Sequence, residues 1–318
     1  PESLAHYTMR MMCKHPEERP QSGTEIELFM EEVLDELGYD ETEHNTQLLE
    51  NFRRLFGRQS GVSAAQAEYA RQHGLPPTRA LDLLGKVRLK LILIPPGSFP
   101  MGSPADEEGR NADEGPMHTV QITRPFYMGV YPVTQEQYTA VTDQAPSRFP
   151  GEYNPVERVS WFDAVDFCEK LGELCGRSVR LPTEAEWEYA CRAGTTTRFS
   201  FGDDLQYLQL GNHAWYADNS SFRTHKVGQK EPTPWHLYDM HGNVWEWCND
   251  WYGENYYASS TRHDPTGPKE GPGKVTRGGS CLYFPKFLRS ANRSWSPPQE
   301  QSGNIGFRIR VEADGDTG

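Results

Sequence analysis

The chain has 318 residues, 36% hydrophobic and 24% charged, with a mean hydropathy of -0.76, which suits a protein that buries a core beneath unusually polar loops. A formal charge of -13 repels a phosphate backbone and argues against nucleic acid as a partner. Membrane insertion is excluded as well, because the densest aliphatic run, Leu91-Ile92-Leu93-Ile94, stops at Pro95-Pro96, far short of the ~20 apolar residues of a spanning helix.

No signal peptide is visible, and a first residue of Pro1 reads as a processed or trimmed fragment. Six cysteines, Cys13, Cys168, Cys175, Cys191, Cys248 and Cys281, form no C-x-x-C and no zinc-type cluster, so a reducing, cytoplasmic setting is expected. The 29 Gly and 24 Pro set among 37 aromatics (8 Trp, 15 Tyr and 14 Phe) point to a loop-rich fold whose core volume is largely aromatic.

In chain order, residues 1–86 read as a helical N-terminal segment. Thr24 and Glu27 form a capping box, Ile26, Phe29, Met30, Val33 and Leu37 recur at helical spacing, and Gly38 stops the run. Leu48, Leu49, Phe52, Leu55 and Phe56 repeat the pattern, as do Ala64, Ala67 and Tyr69 behind Ser63 and Gln66, before Gly74-Leu75-Pro76-Pro77 breaks it.

A second domain is expected over residues 87–318. Val87 to Leu91 and Val120 to Ile122 alternate as strands around a polar loop, Ser103 to Pro116. Ser160 caps a helix with Trp161, Ala164, Val165, Cys168 and Leu171 inward, and Thr183 with Glu186 caps another carrying Trp187, Ala190 and Cys191. Beyond Gly194 the chain reads as loop and turn. The expected class is α+β.

Six ordered blocks then carry a resemblance: Ile94 to Ser103 (IPPGSFPMGS), Pro132 to Tyr138 (PVTQEQY), Arg180 to Ala190 (RLPTEAEWEYA), Gly242 to Trp247 (GNVWEW), Arg277-Gly-Gly-Ser280 and Gly306-Phe-Arg308. From Val87 to Val311 the chain resembles the formylglycine-generating-enzyme (sulfatase-modifying factor) domain. That resemblance implies a loop-rich variant of the C-type lectin fold. It also implies, for oxidases of the family, a pair of cysteines after the Arg-Gly-Gly-Ser block that holds Cu(I) through two thiolates. This chain departs there: Cys281 follows Ser280, and Leu282 to Leu288 holds no second thiol. No copper is therefore expected. Nor do His6, His15, His44 and His73 show the H-x3-H-x-E spacing of the iron site in the related sulfoxide synthases.

Leu288-Arg-Ser-Ala-Asn-Arg293 through Asn304-Ile-Gly-Phe-Arg308 resembles the C-terminal variable region of diversity-generating-retroelement proteins. Leu282, Tyr283, Phe284, Phe287, Ser294, Ser296, Pro297, Ser302 and Gly303 largely belong to the residue set that adenine mutation produces there. Ordinary members of the wider family also carry R-S-A-x-R and G-F-R. The resemblance implies a ligand-binding surface drawn from Cys281, Leu282, Tyr283, Phe284, Lys286, Phe287, Ser290, Asn292, Ser294, Trp295, Ser296, Gln299, Gln301 and Ser302. Aromatics among them could supply contact area at low entropic cost; the alternative is a packed aromatic core. The expected partner is a protein or other macromolecule, and the expected protein is non-catalytic. An oxidase pairing Cys281 with Cys248 or Cys191 is the competing function.

Family members often hold calcium, and the resemblance implies oxygen ligands from Asn243 and Glu246, and from Asn212 and Asp218, with structural hydrogen bonding as the alternative. Arg277, Arg289 and Arg308 are expected to donate to loop carbonyls. Finally, Met11 to Pro20 (MMCKHPEERP) resembles the last helical segment of a protein-kinase C-lobe, which implies a native chain fused to a kinase. The chain itself carries no glycine-rich loop, His-Arg-Asp or Asp-Phe-Gly, so it is not one.

Overall fold

A computed structural model describes residues 62–84 and 87–313. The chain divides into two units, Pro1–Ser63 and Ala64–Gly318, and the elements given below all fall in the second. The helices expected between Thr24 and Phe56, and the Met11 to Pro20 segment, lie outside the described residues. No described helix is long and apolar enough to cross a membrane.

Helix α1 (Ala64–His73) matches the expected pattern, and its buried Gln66 donates to Leu93 O at 2.8 Å. Strand β1 (Thr78–Asp82) follows and pairs antiparallel with β2 (Arg88–Ile94), Leu81 opposite Leu89. One expectation is corrected here. Residues 78–82 are a strand rather than helical, and β1 forms the edge of the main sheet. Cross-strand pairing overrides the weak local preference of Thr-Arg-Ala-Leu-Asp.

That sheet has the order β1-β2-β5-β11-β6, with β5 at Phe126–Gly129, β6 at Val179–Arg180 and β11 at Arg310–Glu312. The aliphatic run near Leu91 is explained by its two covered faces. Leu89, Leu91 and Leu93 enter one core cluster with Phe167 and Leu171 of α3 (Trp161–Cys175), and with Tyr138 of α2 (Gln135–Thr142). Ile92 and Ile94 enter a second with Trp187 and Ala190 of α4 (Glu184–Arg192) and with β3 (Gly97–Met101) and β4 (His118–Ile122).

The caps follow the sequence. Ser160 Oγ accepts from Asp163 N and Thr183 Oγ1 from Glu186 N, each satisfying a helix-end N–H that has no intrahelical partner. Beyond Gly194 the sequence suggests only loops, yet a second sheet forms there in the order β10-β7-β8-β9. Its strands are β7 (Trp245–Trp251), β8 (Lys274–Arg277), β9 (Ser294–Ser296) and β10 (Ile305–Gly306); a short helix, α5 (Leu210–His213), precedes it.

Buried ion pairs hold this loop-rich half. Arg308 engages Glu246 through Nε–Oε2 at 2.6 Å and Nη2–Oε1 at 2.7 Å, and donates to Gly129 O and Tyr238 O. Arg293 grips both oxygens of Glu184 at 2.6 and 2.9 Å. Arg277 pairs with Glu188 and donates to the carbonyls of Ser290, Ala291 and Asn292. Arg289 clamps Glu114 at 2.6 and 2.7 Å and adds Glu107, Gly109 O and Lys286 O, tying the Ser103 to Pro116 loop down. The carbonyl contacts were expected of Arg277, Arg289 and Arg308; their carboxylate partners were not.

These groups give stability two opposite pH dependences. Burial alone would raise the Glu184 and Glu114 carboxyls, but Arg293 with Arg277, and Arg289, hold them below the usual 4.5. Their contribution is present above that value and lost as pH falls through it. Asp250 behaves in reverse: burial, then the Glu184 charge, push it up to about 8 from 3.8, so the folded state is penalised as pH rises between those values. The urea midpoint is expected to peak near about pH 5, falling on both sides. Asp250→Asn should flatten the fall toward neutral pH and leave the acid limb intact, as denaturation at several pH values would show.

Candidate binding site

The site starts where β8 ends. Gly278 and Gly279 have φ of 94° and 76°, and a Cβ at Gly279 would stand 2.8 Å from Leu288 Cγ, so glycine alone turns the chain here without strain. Ser280 is buried and its Oγ accepts from Asn304 Nδ2 at 3.1 Å. Leu282, Tyr283 and Phe284 then emerge, 36%, 37% and 61% exposed. Tyr283 packs edge-on against Trp245 at 5.3 Å and against Phe287 at 5.4 Å.

Every strand of the second sheet contributes to a pocket of about 200 Å³ beside this segment: Trp245 of β7, Thr276 of β8, Ser294 and Ser296 of β9, and Ile305 of β10. Tyr283 joins them, with Pro297, Glu300, Ser302 and Asn304 from the β9–β10 connection. Tyr283, Ser294, Ser296 and Ser302 are thus brought together as sequence reasoning proposed. Leu282, Phe284, Lys286, Trp295, Gln299 and Gln301 are exposed outside the lining, and Trp295 stacks on Tyr252 at 5.9 Å.

Three members of the expected surface are buried instead. Cys281 has no exposed area and its carbonyl accepts from Ser220 Oγ at 2.6 Å. Ser290 lies inside, 3.8 Å from Cys191 Sγ, and Asn292 Oδ1 accepts from Asn111 Nδ2 at 3.2 Å. The Arg277 and Arg289 clamps pull this stretch inward. Phe287 is half-buried, packed toward the Phe199, Leu210 and Leu288 cluster. Sequence reasoning missed Trp245, Thr276, Glu300 and Asn304 because they come from separate segments that only the pairing of the second sheet brings together. The signal available was the alternation Lys-Val-Thr-Arg in β8.

Of the two proposed calcium pairs, Asn243 and Glu246 are engaged in hydrogen bonds within the fold. Glu246 accepts from Arg308 and also from Trp187 Nε1 at 2.7 Å, leaving its carboxylate fully engaged. Asn243 holds the His225 backbone through N–H and carbonyl, both at 3.0 Å. Asn212 and Asp218 are exposed, and among the described residues no group of three or more His, Cys, Asp or Glu could hold a metal. The Asn243 and Glu246 side chains are spent on the fold rather than free as oxygen donors.

The described cysteines are all unpaired. Burial pushes the Cys281 and Cys191 thiols up to about 12. Cys191 lies 3.8 Å from His241 Nε2, but that imidazole donates through Nδ1 to Leu288 O, accepts from Ser200 N, and is lowered to about 4 by burial. A neutral imidazole stabilises no thiolate.

Pocket, sheet order and buried ion pairs belong to a loop-rich α+β fold of C-type lectin type, and the chain belongs to the sulfatase-modifying factor enzyme 1-like domain family, whose model matches residues 86–313. The formylglycine-generating enzyme of Streptomyces coelicolor is 34% identical over 318 residues, 80% of this chain and 97% of its own. Treponema denticola variable protein 1 superposes with a TM-score of 0.68 at 28% identity, covering 74% of this chain and 99% of its own. The serine/threonine-protein kinase pkn1 of Chlamydia pneumoniae is 32% identical over 248 residues, 69% of this chain but 37% of its own length.

Framework and surface should separate in thermal unfolding. Arg289→Ala strands Glu114 in the core and should cost about 3 kcal/mol or more. Phe284→Ser and Tyr283→Asn, on the surface, should stay within about 1 kcal/mol of the parent. Equal losses in all three would make the aromatics core residues.

Proposed function

We propose that this domain is a non-catalytic binding module of the kind used by variable proteins, with the pocket and the exposed Leu282, Tyr283, Phe284 and Trp295 around it as its recognition surface. The observation that carries the reading is the division of labour within residues 277–308. Arginines face inward to buried glutamates, while Leu282, Tyr283, Phe284 and Trp295 between them stand exposed at the surface. Rigid aromatic groups on a fixed backbone lose little entropy on binding. The partner is a protein or another macromolecule. The chlamydial kinases carry the same domain within a longer chain, and with the kinase-like Met11 to Pro20 segment this supports a native fusion to a kinase.

The identity to formylglycine-generating enzymes favours a second reading, oxidation of a protein cysteine. Against it stand a single buried thiol where the oxidases use two, and its ionisation near about 12. Incubating the protein with a cysteine peptide, Cu(I) and oxygen, followed by mass spectrometry, tests the choice. The peptide should emerge without a formylglycine, and turnover that disappears in Cys281→Ala would overturn the binding reading.

A further inference from the structure

The pocket's chemistry is one-sided. Its polar lining comprises hydroxyls, the Asn304 amide and the Glu300 carboxylate, with no Lys, Arg or His, and the Trp245 and Tyr283 rings complete it. Behind one wall stands a second carboxylate. Glu157 is fully buried; its Oε1 accepts from Phe149 N at 2.8 Å, while Oε2 has no hydrogen-bond partner. That oxygen lies 3.5 Å from where a Cβ on Gly303 would stand, between the lining residues Ser302 and Asn304. Arg148 passes Gly303 with its aliphatic stem and places its guanidinium over the Phe149 ring at 5.2 Å, so that it and Arg158 act on Glu157 through space. No ion pair among the described residues joins it to Glu157.

Resting on the binding reading above, we propose that the pocket receives a cationic side-chain head group, the guanidinium or ammonium of an Arg or Lys on a protein partner. An anion would be repelled by Glu300. A neutral polyol would satisfy the hydroxyls and leave the Glu300 carboxylate uncompensated. A cation is met by Glu300 at the mouth and by aromatic rings on the flank, the geometry in which cation–π attraction adds to charge pairing. A volume near 200 Å³ suits one side chain rather than a folded element.

Panning a random dodecapeptide phage library on the protein tests this, with Glu300→Gln and Ser294→Trp as variants and thermal unfolding to check that both fold. Enriched peptides should carry Arg or Lys and bind Glu300→Gln roughly threefold more weakly. Binding should weaken from about 50 to about 300 mM salt, and Ser294→Trp, which fills the pocket without changing charge, should abolish it. Enriched peptides without basic residues, or equal binding to Glu300→Gln, overturn the cationic assignment and leave the binding reading standing. Capture that survives Ser294→Trp also overturns it, since the peptides then adhere to the acidic surface at large. No enrichment on the parent protein removes both readings.

Discussion

Four buried guanidinium–carboxylate pairs, Arg277–Glu188, Arg289–Glu114, Arg293–Glu184 and Arg308–Glu246, set the terms for the rest of this structure. Each arginine comes from the last third of the chain and each reaches an element laid down earlier, so the C-terminal loops are bolted to α4, β7 and the Ser103 to Pro116 loop. A charge taken out of water is tolerated only with a close, hydrogen-bonded counter-charge. That condition makes the pairs exacting: an arginine that shifts leaves an uncompensated glutamate in the core. The loops therefore hold one conformation although little regular secondary structure supports them.

A fixed backbone has a functional consequence. Because the conformation of residues 277–308 is set from within, the side chains that point outward are not needed to maintain it. Tyr283, Ser294, Ser296 and Ser302 can shape a pocket, and Phe284 and Trp295 can stand in solvent, without loss of the fold. The same framework supports the family's enzymes and variable proteins alike, which is why family membership leaves the activity open and the site has to decide it. Here Glu246 and Asn243 are committed to structure, and Cys281 is a small buried group beside the pocket-forming segment rather than an exposed nucleophile.

Much of this was legible in the sequence where local chemistry dictates local structure. Ser160 and Thr183 announce their helices because a cap needs only a hydroxyl and a near neighbour, and Leu89 to Ile94 announces a buried strand by its continuous apolar run. The second sheet was not legible, since β9 and β10 span three and two residues, too few for any period to emerge. Glu184 and Glu188 read as ordinary polar residues on a capped helix; their arginine partners lie 109 positions away for Arg293–Glu184 and 89 for Arg277–Glu188. The inward turn of Cys281, Ser290 and Asn292 follows from those partners, so the candidate surface came out too wide at its buried end. Thr78 to Asp82 was read as helical for the same reason, because its strand partner decides its state.

The central claim is that interior arginines fix the surface and surface residues do not. It is tested most directly by a protease-resistance scan of all single substitutions from Arg277 to Arg308 displayed on yeast. The account predicts that Arg277, Arg289, Arg293 and Arg308 tolerate no replacement, lysine included, because lysine lacks the planar fork with which each holds a carboxylate and backbone carbonyls together. Leu282, Tyr283, Phe284, Ser294, Trp295 and Ser296 should accept most residues at near-parental resistance. Intolerance at those surface positions matching that at the arginines would contradict it.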